Sequence, residues 1–223
     1  MAYPTVSASY GFRPVNLLGG QVFAGSTRQM AIASGHATNI FFGDCVIMST
    51  NGCINNNTVT NTGTAIVGIF MGCSYINSSG QRVFGQYYPA TISQTVDSTN
   101  GTVAFVADDP DLVMKVAVQS AADAAPSASQ ANRAALVGGN VDIIYQTVTG
   151  STATGNGTQG VKNAGVASAT LPVKIIDVVP DTAPATGSFV EVLVSWNQFA
   201  HLYRNTTALA QGDKSWLFHA HNY

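Results

Sequence analysis

Side chains able to do acid–base or nucleophilic chemistry are few and scattered. Four histidines occur, His36, His201, His219 and His221, three of them in the last 23 residues. A nucleophilic triad needs a carboxylate to orient a histidine against Ser or Cys, and no histidine stands at a spacing that names such a reaction. His219-Ala-His221 on a strand would put both rings on one face, because side chains repeat every two residues. Two such rings can hold a metal, but the sequence nominates no third ligand. Cys45, Cys53 and Cys73 are odd in number, lack CxxC spacing and have no histidine at a zinc-ligand interval; they are expected to be small, reduced core residues. Asp108-Asp109-Pro110-Asp111 is the one local concentration of charge. Closely spaced oxygen ligands suit calcium, yet the Gly and terminal Glu of an EF-hand loop are missing, and the chain's single Glu is Glu191. Asp and Pro are also turn formers, and a turn is the preferred reading. P-loop, GxSxG, HExxH and dinucleotide fingerprints are absent from the sequence. The expectation is a protein without catalytic residues, cofactor or metal. A metal-dependent hydrolase using His219, His221 and the Asp cluster is the weakest alternative.

The aromatic residues divide into two sets. Phe41-Phe42, Phe84, Tyr87-Tyr88 and Phe105 fit a sandwich or barrel core, where each buries a large apolar area. Tyr3, Tyr10, Phe12, Trp216, Phe218 and Tyr223 lie in segments without strand periodicity. They either fold back on their own domain or insert into a neighbouring subunit, a role in which Tyr and Trp are enriched. With Arg13, Pro14, His219 and His221 they form the candidate partner-binding set.

These groups must be positioned by strands. Alternating or β-branched runs recur at 44–49, 65–70, 102–107, 112–118, 141–145, 173–179 and 189–195, separated by Gly, Asn and Pro turn signals. One short helix is expected within 121–136, stopped at Gly138-Gly139. The prediction is an all-β protein: a single β-sandwich or barrel-like domain over 36–223, an extended N-terminal arm over 1–35, and a Thr/Gly-rich loop or β-excursion at 148–168.

Composition limits the partners. The 223 residues carry 9 Lys plus Arg and 11 Asp plus Glu, a net charge of -2, and 46% are hydrophobic. That is ample apolar material for a core and excludes wholesale disorder. Nine scattered cations cannot form the footprint for nucleic acid or an anionic membrane. No apolar stretch approaches a membrane span, and the first residues lack the basic and apolar regions of a secretory signal. A free monomer usually keeps itself soluble by charge. A surface of hydroxyls and amides therefore fits either a protein working inside an assembly or a secreted or cell-surface β-protein.

The order of several motifs carries a resemblance. Tyr10-Gly-Phe-Arg-Pro-Val15, Ala24-Gly-Ser-Thr-Arg28, Ile32-Ala-Ser-Gly-His36, Asn39-Ile-Phe-Phe-Gly-Asp44, Gly68-Ile-Phe-Met-Gly-Cys-Ser-Tyr75, Gln86-Tyr-Tyr-Pro89, Val106-Ala-Asp-Asp-Pro-Asp111 and Glu191-Val-Leu-Val-Ser-Trp-Asn197 succeed one another. The series resembles the decoration or cement proteins of tailed-bacteriophage heads. The resemblance implies a β-rich homotrimer, made in the host cytoplasm, that binds the outer face of the major capsid protein lattice in the virion and braces the expanded shell by bridging capsomers. The alternative is a receptor-binding or adhesive virion component, a small spike or fibre head with a carbohydrate site formed by Trp216, Tyr87 and the Asp108–Asp111 turn. The 148–168 excursion and the aromatic tail after Asn197 map onto no known interface of that family.

Overall fold

The computed structural model describes residues 6–33, 35–49, 51–56, 66–90, 102–120, 136–144, 150–162, 168–182, 189–197 and 200–204. Among the described residues thirteen strands form two sheets, as the all-β expectation requires. The first sheet contains β1 (Arg13–Leu17), β8 (Leu112–Gln119), β9 (Asn140–Val141), β10 (Ile143–Ile144), β11 (Gly160–Lys162), β12 (Val173–Val178) and β13 (Glu191–Trp196). Its order is β10-β11-β8-β13-β12-β9, with β1 also paired to β8. The terminal strands β9 and β10 are successive in the chain, separated by Asp142 alone. The backbone at 140–144 therefore joins both ends of the sheet and brings it close to a barrel, which removes the exposed edges an open sheet would present. Asp142 fixes this corner: its Oδ1 accepts the Ile143 N–H at 2.9 Å, its Oδ2 pairs with Lys162 Nζ at 2.9 Å, and its carbonyl accepts the Lys162 N–H at 3.0 Å.

The second sheet contains β2 (Arg28–Ala31), β3 (Cys45–Met48), β4 (Ile54–Asn56), β5 (Ile66–Ile76), β6 (Arg82–Gly85) and β7 (Val103–Ala107). Its order is β2-β7-β5-β3-β4, with β6 also paired to β5. Strand β5 is buried on both faces, which explains its near-continuous apolar sequence. Ile66 and Ile69 join the barrel core while Val67 and Phe70 join a second core; residues three apart share a face here because the pairing with β3 shifts register between Gly68 and Ile66, a bulge that interrupts the two-residue alternation. The first core gathers Leu112, Met114, Val116, Val173, Ile175, Val192, Val194 and Trp196. The second gathers Met30, Ile32, Ile40, Val46, Tyr88, Ala104 and Val106. Cys45 and Cys73 are buried and unbridged, and Cys53 is half-buried.

The expected N-terminal arm is a different object. Across its described residues the 1–35 stretch supplies β1 to one sheet and β2 to the other, by antiparallel pairing with β8 and β7. Its pairing partners lie about a hundred residues ahead in the chain for β1 and more than seventy ahead for β2, out of reach of any local pattern. The expected run 141–145 is split at Asp142 into β9 and β10. The helix expected within 121–136 lies outside the described residues except at Leu136, which is helical and buried. Among the described residues, no helix is long and apolar enough to cross a membrane.

Candidate functional site

Residues 13–23 form a hairpin, β1 running out and the chain returning through an antiparallel bridge between Asn16 and Val22. The turn is closed by Leu17 N–H to Gln21 O and Gly20 N–H to Leu17 O, at 2.8 and 2.9 Å. Gly20 occupies the left-handed region at φ 79°, where a side chain would be strained. The Leu18 N–H donates to Asp111 O at 2.8 Å, tying the hairpin to the β7–β8 turn. Three of its exposed residues are large and apolar, Val22 at 76%, Leu18 at 49% and Val15 at 38%, beside exposed Asn16 and Gln21. Sequence reasoning missed this patch. Leu17-Leu18-Gly19-Gly20 held the available signal, an apolar pair abutting a turn.

The residues expected to meet a partner instead anchor the hairpin. Phe12 is fully buried in the chain's own barrel core, a correction to its expected place at an interface; the Phe12 N–H donates to Gly43 O at 2.8 Å and holds the backbone inward. Pro14, half-buried, sits opposite Met114 in the β1–β8 register. Tyr10 donates its hydroxyl hydrogen to Glu191 Oε1. Burial first, and then that bond to a carboxylate, push the Tyr10 phenol well above its ordinary pKa. Glu191 is itself buried and pairs with Lys115 at 3.1 Å. The Arg13 guanidinium lies over the Phe42 ring at 4.3 Å and donates to Asn156 Oδ1 at 2.8 Å. Tyr3, Trp216, Phe218, His219, His221 and Tyr223 lie outside the described residues.

Arg13 leads into a buried polar seat beneath residues 150–162. Within the described part of the Thr/Gly-rich excursion 151–154 are exposed and 155–161 are packed in, bridging to Phe42 through Asn156 and to β8 through β11. Thr158 O accepts from Ser9 Oγ and from Gln119 Nε2, and Gln159 Oε1 accepts the Cys45 N–H at 2.8 Å. Asp44 lies fully buried under Gly157 and accepts the Phe41 N–H at 2.9 Å. Desolvation raises its carboxyl pKa to about 8, only partly offset by that hydrogen bond and by Arg13. Burial also lowers the pKa of Arg13. Arg13 Nη1, Asp44 Oδ1 and Gln159 Nε2 are buried without hydrogen-bond partners.

The acidic cluster is a turn. The Asp111 N–H donates to Asp109 Oδ1 at 2.8 Å, as expected of an Asx turn. Asp108 pairs with Arg28 at 2.7 Å and accepts from the Tyr203 hydroxyl at 2.8 Å, while Asp111 pairs with Arg204. Tyr87 stacks on Phe41 at 5.4 Å; of the three parts of the expected carbohydrate site, Trp216 lies outside the described residues. Among the described residues no three His, Cys, Asp or Glu side chains converge to hold a metal. His36 contacts Thr38 and Tyr88, and His201 packs between Trp196 and Tyr203. A separate cavity of about 570 Å³ is lined by Lys174, Trp196, Asn197 and Arg204.

The chain was compared with family models, with curated proteins and with solved structures, and no match was found in any of the three.

Proposed function

We propose that this chain is a structural virion protein of the capsid decoration type. It binds the outer face of the major capsid protein lattice, as a homotrimer, and braces the expanded head by bridging capsomers. The observation that carries the reading is the 13–23 hairpin, which holds Val15, Leu18 and Val22 to solvent on a base anchored by Phe12, Tyr10 and Arg13. Apolar side chains preset on a hydrogen-bonded turn lose little freedom on docking, which favours association. Many identical copies on one lattice then add resistance to shear through avidity. The motif order and the sparse charge support the same reading.

The test uses expanded heads stripped of the protein, purified chain, and co-sedimentation. Wild type is expected to bind in a fixed high ratio to the major capsid protein, and Val22→Asp to lose binding while keeping its circular-dichroism spectrum. Wild type that stays monomeric and free of the heads, or Val22→Asp that binds equally, would overturn the proposal. A second reading, a receptor-binding component present in few copies, is favoured by the cationic cavity at Lys174 and Arg204. Copy number per particle separates the two.

A further inference from the structure

Strand β6 leaves the second sheet with an open edge. Among the described strands it pairs with β5 alone. The strands that end the sheet's main path, β2 and β4, approach each other instead through a parallel bridge between Ile32 and Ile54. Which peptide groups of β6 face outward follows from the phase of its ladder, because opposed residues of an antiparallel pair alternate between bonded and non-bonded pairs. The Asn77 N–H donates to Gln81 O at 2.9 Å. In the same register the bonded pairs are then Tyr75 with Val83 and Cys73 with Gly85. Arg82 and Phe84, opposite Ile76 and Ser74, therefore turn their N–H and C=O groups away from β5. Among the described residues none meets the outward groups of Phe84.

The side chains sharpen the point. Phe84 is 73% exposed, a correction to its expected place in the core. The one charge on the strand belongs to Arg82, whose Nη1 donates to Ser74 Oγ at 3.0 Å, back across the ladder towards β5. Edge strands are ordinarily blunted by outward charges, proline, bulges or a covering element. Here the charge is turned back, and the strand offers an exposed aromatic beside unpaired peptide groups.

We propose that β6 pairs antiparallel with β6 of a second copy of this chain, about a twofold axis at Phe84. In that register Phe84 opposes Phe84 of the second copy, and Arg82 opposes Gln86, which lies just past the strand end. The two Phe84 residues exchange both N–H···O bonds, and their rings stand side by side on one face, where cross-strand aromatic pairs stabilise a sheet. Arg82 meets a neutral amide, so no like charges are opposed. A twofold contact requires a self-complementary edge, and this register supplies one. An unrelated extended peptide is held specifically by pockets for alternate side chains, whereas Phe84 projects into solvent. The contact lies apart from the 13–23 hairpin and does not depend on the capsid reading.

The experiment is sedimentation equilibrium of the intact chain at sub-millimolar concentration, on wild type, Phe84→Glu, Phe84→Lys and an equimolar mixture of the two variants. Wild type is expected to self-associate. Each variant sets like charges opposite one another and should weaken that association about tenfold, while the mixture, with Glu opposite Lys, should recover it. Exchange of the Phe84 amide hydrogen should slow as wild-type concentration rises. Val22→Asp should leave the pairing unchanged, so failure of this contact and failure of capsid attachment are read separately. Equal masses of wild type and both single variants, a mixture no heavier than its parts, or Phe84 exchange indifferent to concentration would each overturn the proposal. Because Phe84 is exposed, its replacement leaves the fold intact, which an unchanged melting temperature checks.

Discussion

Two buried titratable groups make opposite demands on pH. Asp44 has a folded pKa of about 8, above its ordinary 3.8, because burial disfavours the carboxylate. Its stabilising contribution is complete below the unfolded pKa and is lost as pH rises through 8. Asp44→Asn, which keeps the shape and removes the ionisation, should flatten this dependence. The stability of wild type relative to the variant is expected to fall by about 3 kcal/mol between pH 5 and pH 8, measured by urea unfolding. An unchanged difference would mean that Asp44 is ionised in the fold. His201 works in the other direction. Burial, the largest cause, drops its pKa to about 4 from 6.5, against smaller opposing contributions from Val67 and the nearby aspartates. The folded state resists the proton that the unfolded chain accepts, so stability falls as pH drops from about 6.5 towards 4. His201→Phe should abolish about 2 kcal/mol of acid-side loss between pH 6.5 and 4.5. An acid limb that survives the substitution would place the lost stability elsewhere.

At the scale of elements, 150–162 is the segment whose composition misleads most. Thr, Gly, Ser and Asn suggest an exposed linker, and 151–154 are exposed, yet 155–161 are wedged between the Phe42 backbone and β8. A Cβ on Gly157 would lie 2.2 Å from Asp44 Oδ1, and one on Gly150 would lie 2.4 Å from Asn156 O and 2.5 Å from the Phe41 ring. These glycines serve close approach, not flexibility. Gly157→Ala should therefore cost about 2 to 3 kcal/mol by thermal or urea unfolding, as overpacking does. Gly19→Ala, where nothing stands within 4 Å, should stay within about 0.5 kcal/mol of wild type. Equal costs at the two positions would remove the packing argument. The same physics decides what could be read in advance. Strands β3, β5, β7, β8, β12 and β13 were legible because burial on a core face forces β-branched runs. β1, with only half-buried and exposed positions, carries no such pattern and exists because β8 supplies a partner. Of the candidate contact residues, Tyr10, Phe12, Arg13 and Pro14 do cluster, but Phe12 is covered wholly by the chain's own core while the other three are half-buried. A sequence shows that an aromatic must be covered; it does not show whether its own fold provides the cover.

For the whole molecule, the first sheet is nearly closed at 140–144 and is backed by a sheet whose central strand, β5, is buried on both faces. What faces outward is then sparse in charge. Among the described cations Arg28, Lys115, Lys162 and Arg204 already meet carboxylates within the chain. A surface of this kind associates through apolar and neutral polar contacts, which avoid the cost of burying unpaired ions and are little affected by Debye screening. Attachment to expanded heads is accordingly expected to change little between low salt and molar NaCl, measured by co-sedimentation at matched protein concentration. An ionic interface would instead weaken steeply over that range, so release in moderate salt would show that the few cations, and not the 13–23 hairpin, hold the protein to the shell. Val22→Asp sharpens the distinction. On an apolar interface it abolishes attachment at every salt concentration, whereas on an ionic one its effect would fade as salt rises.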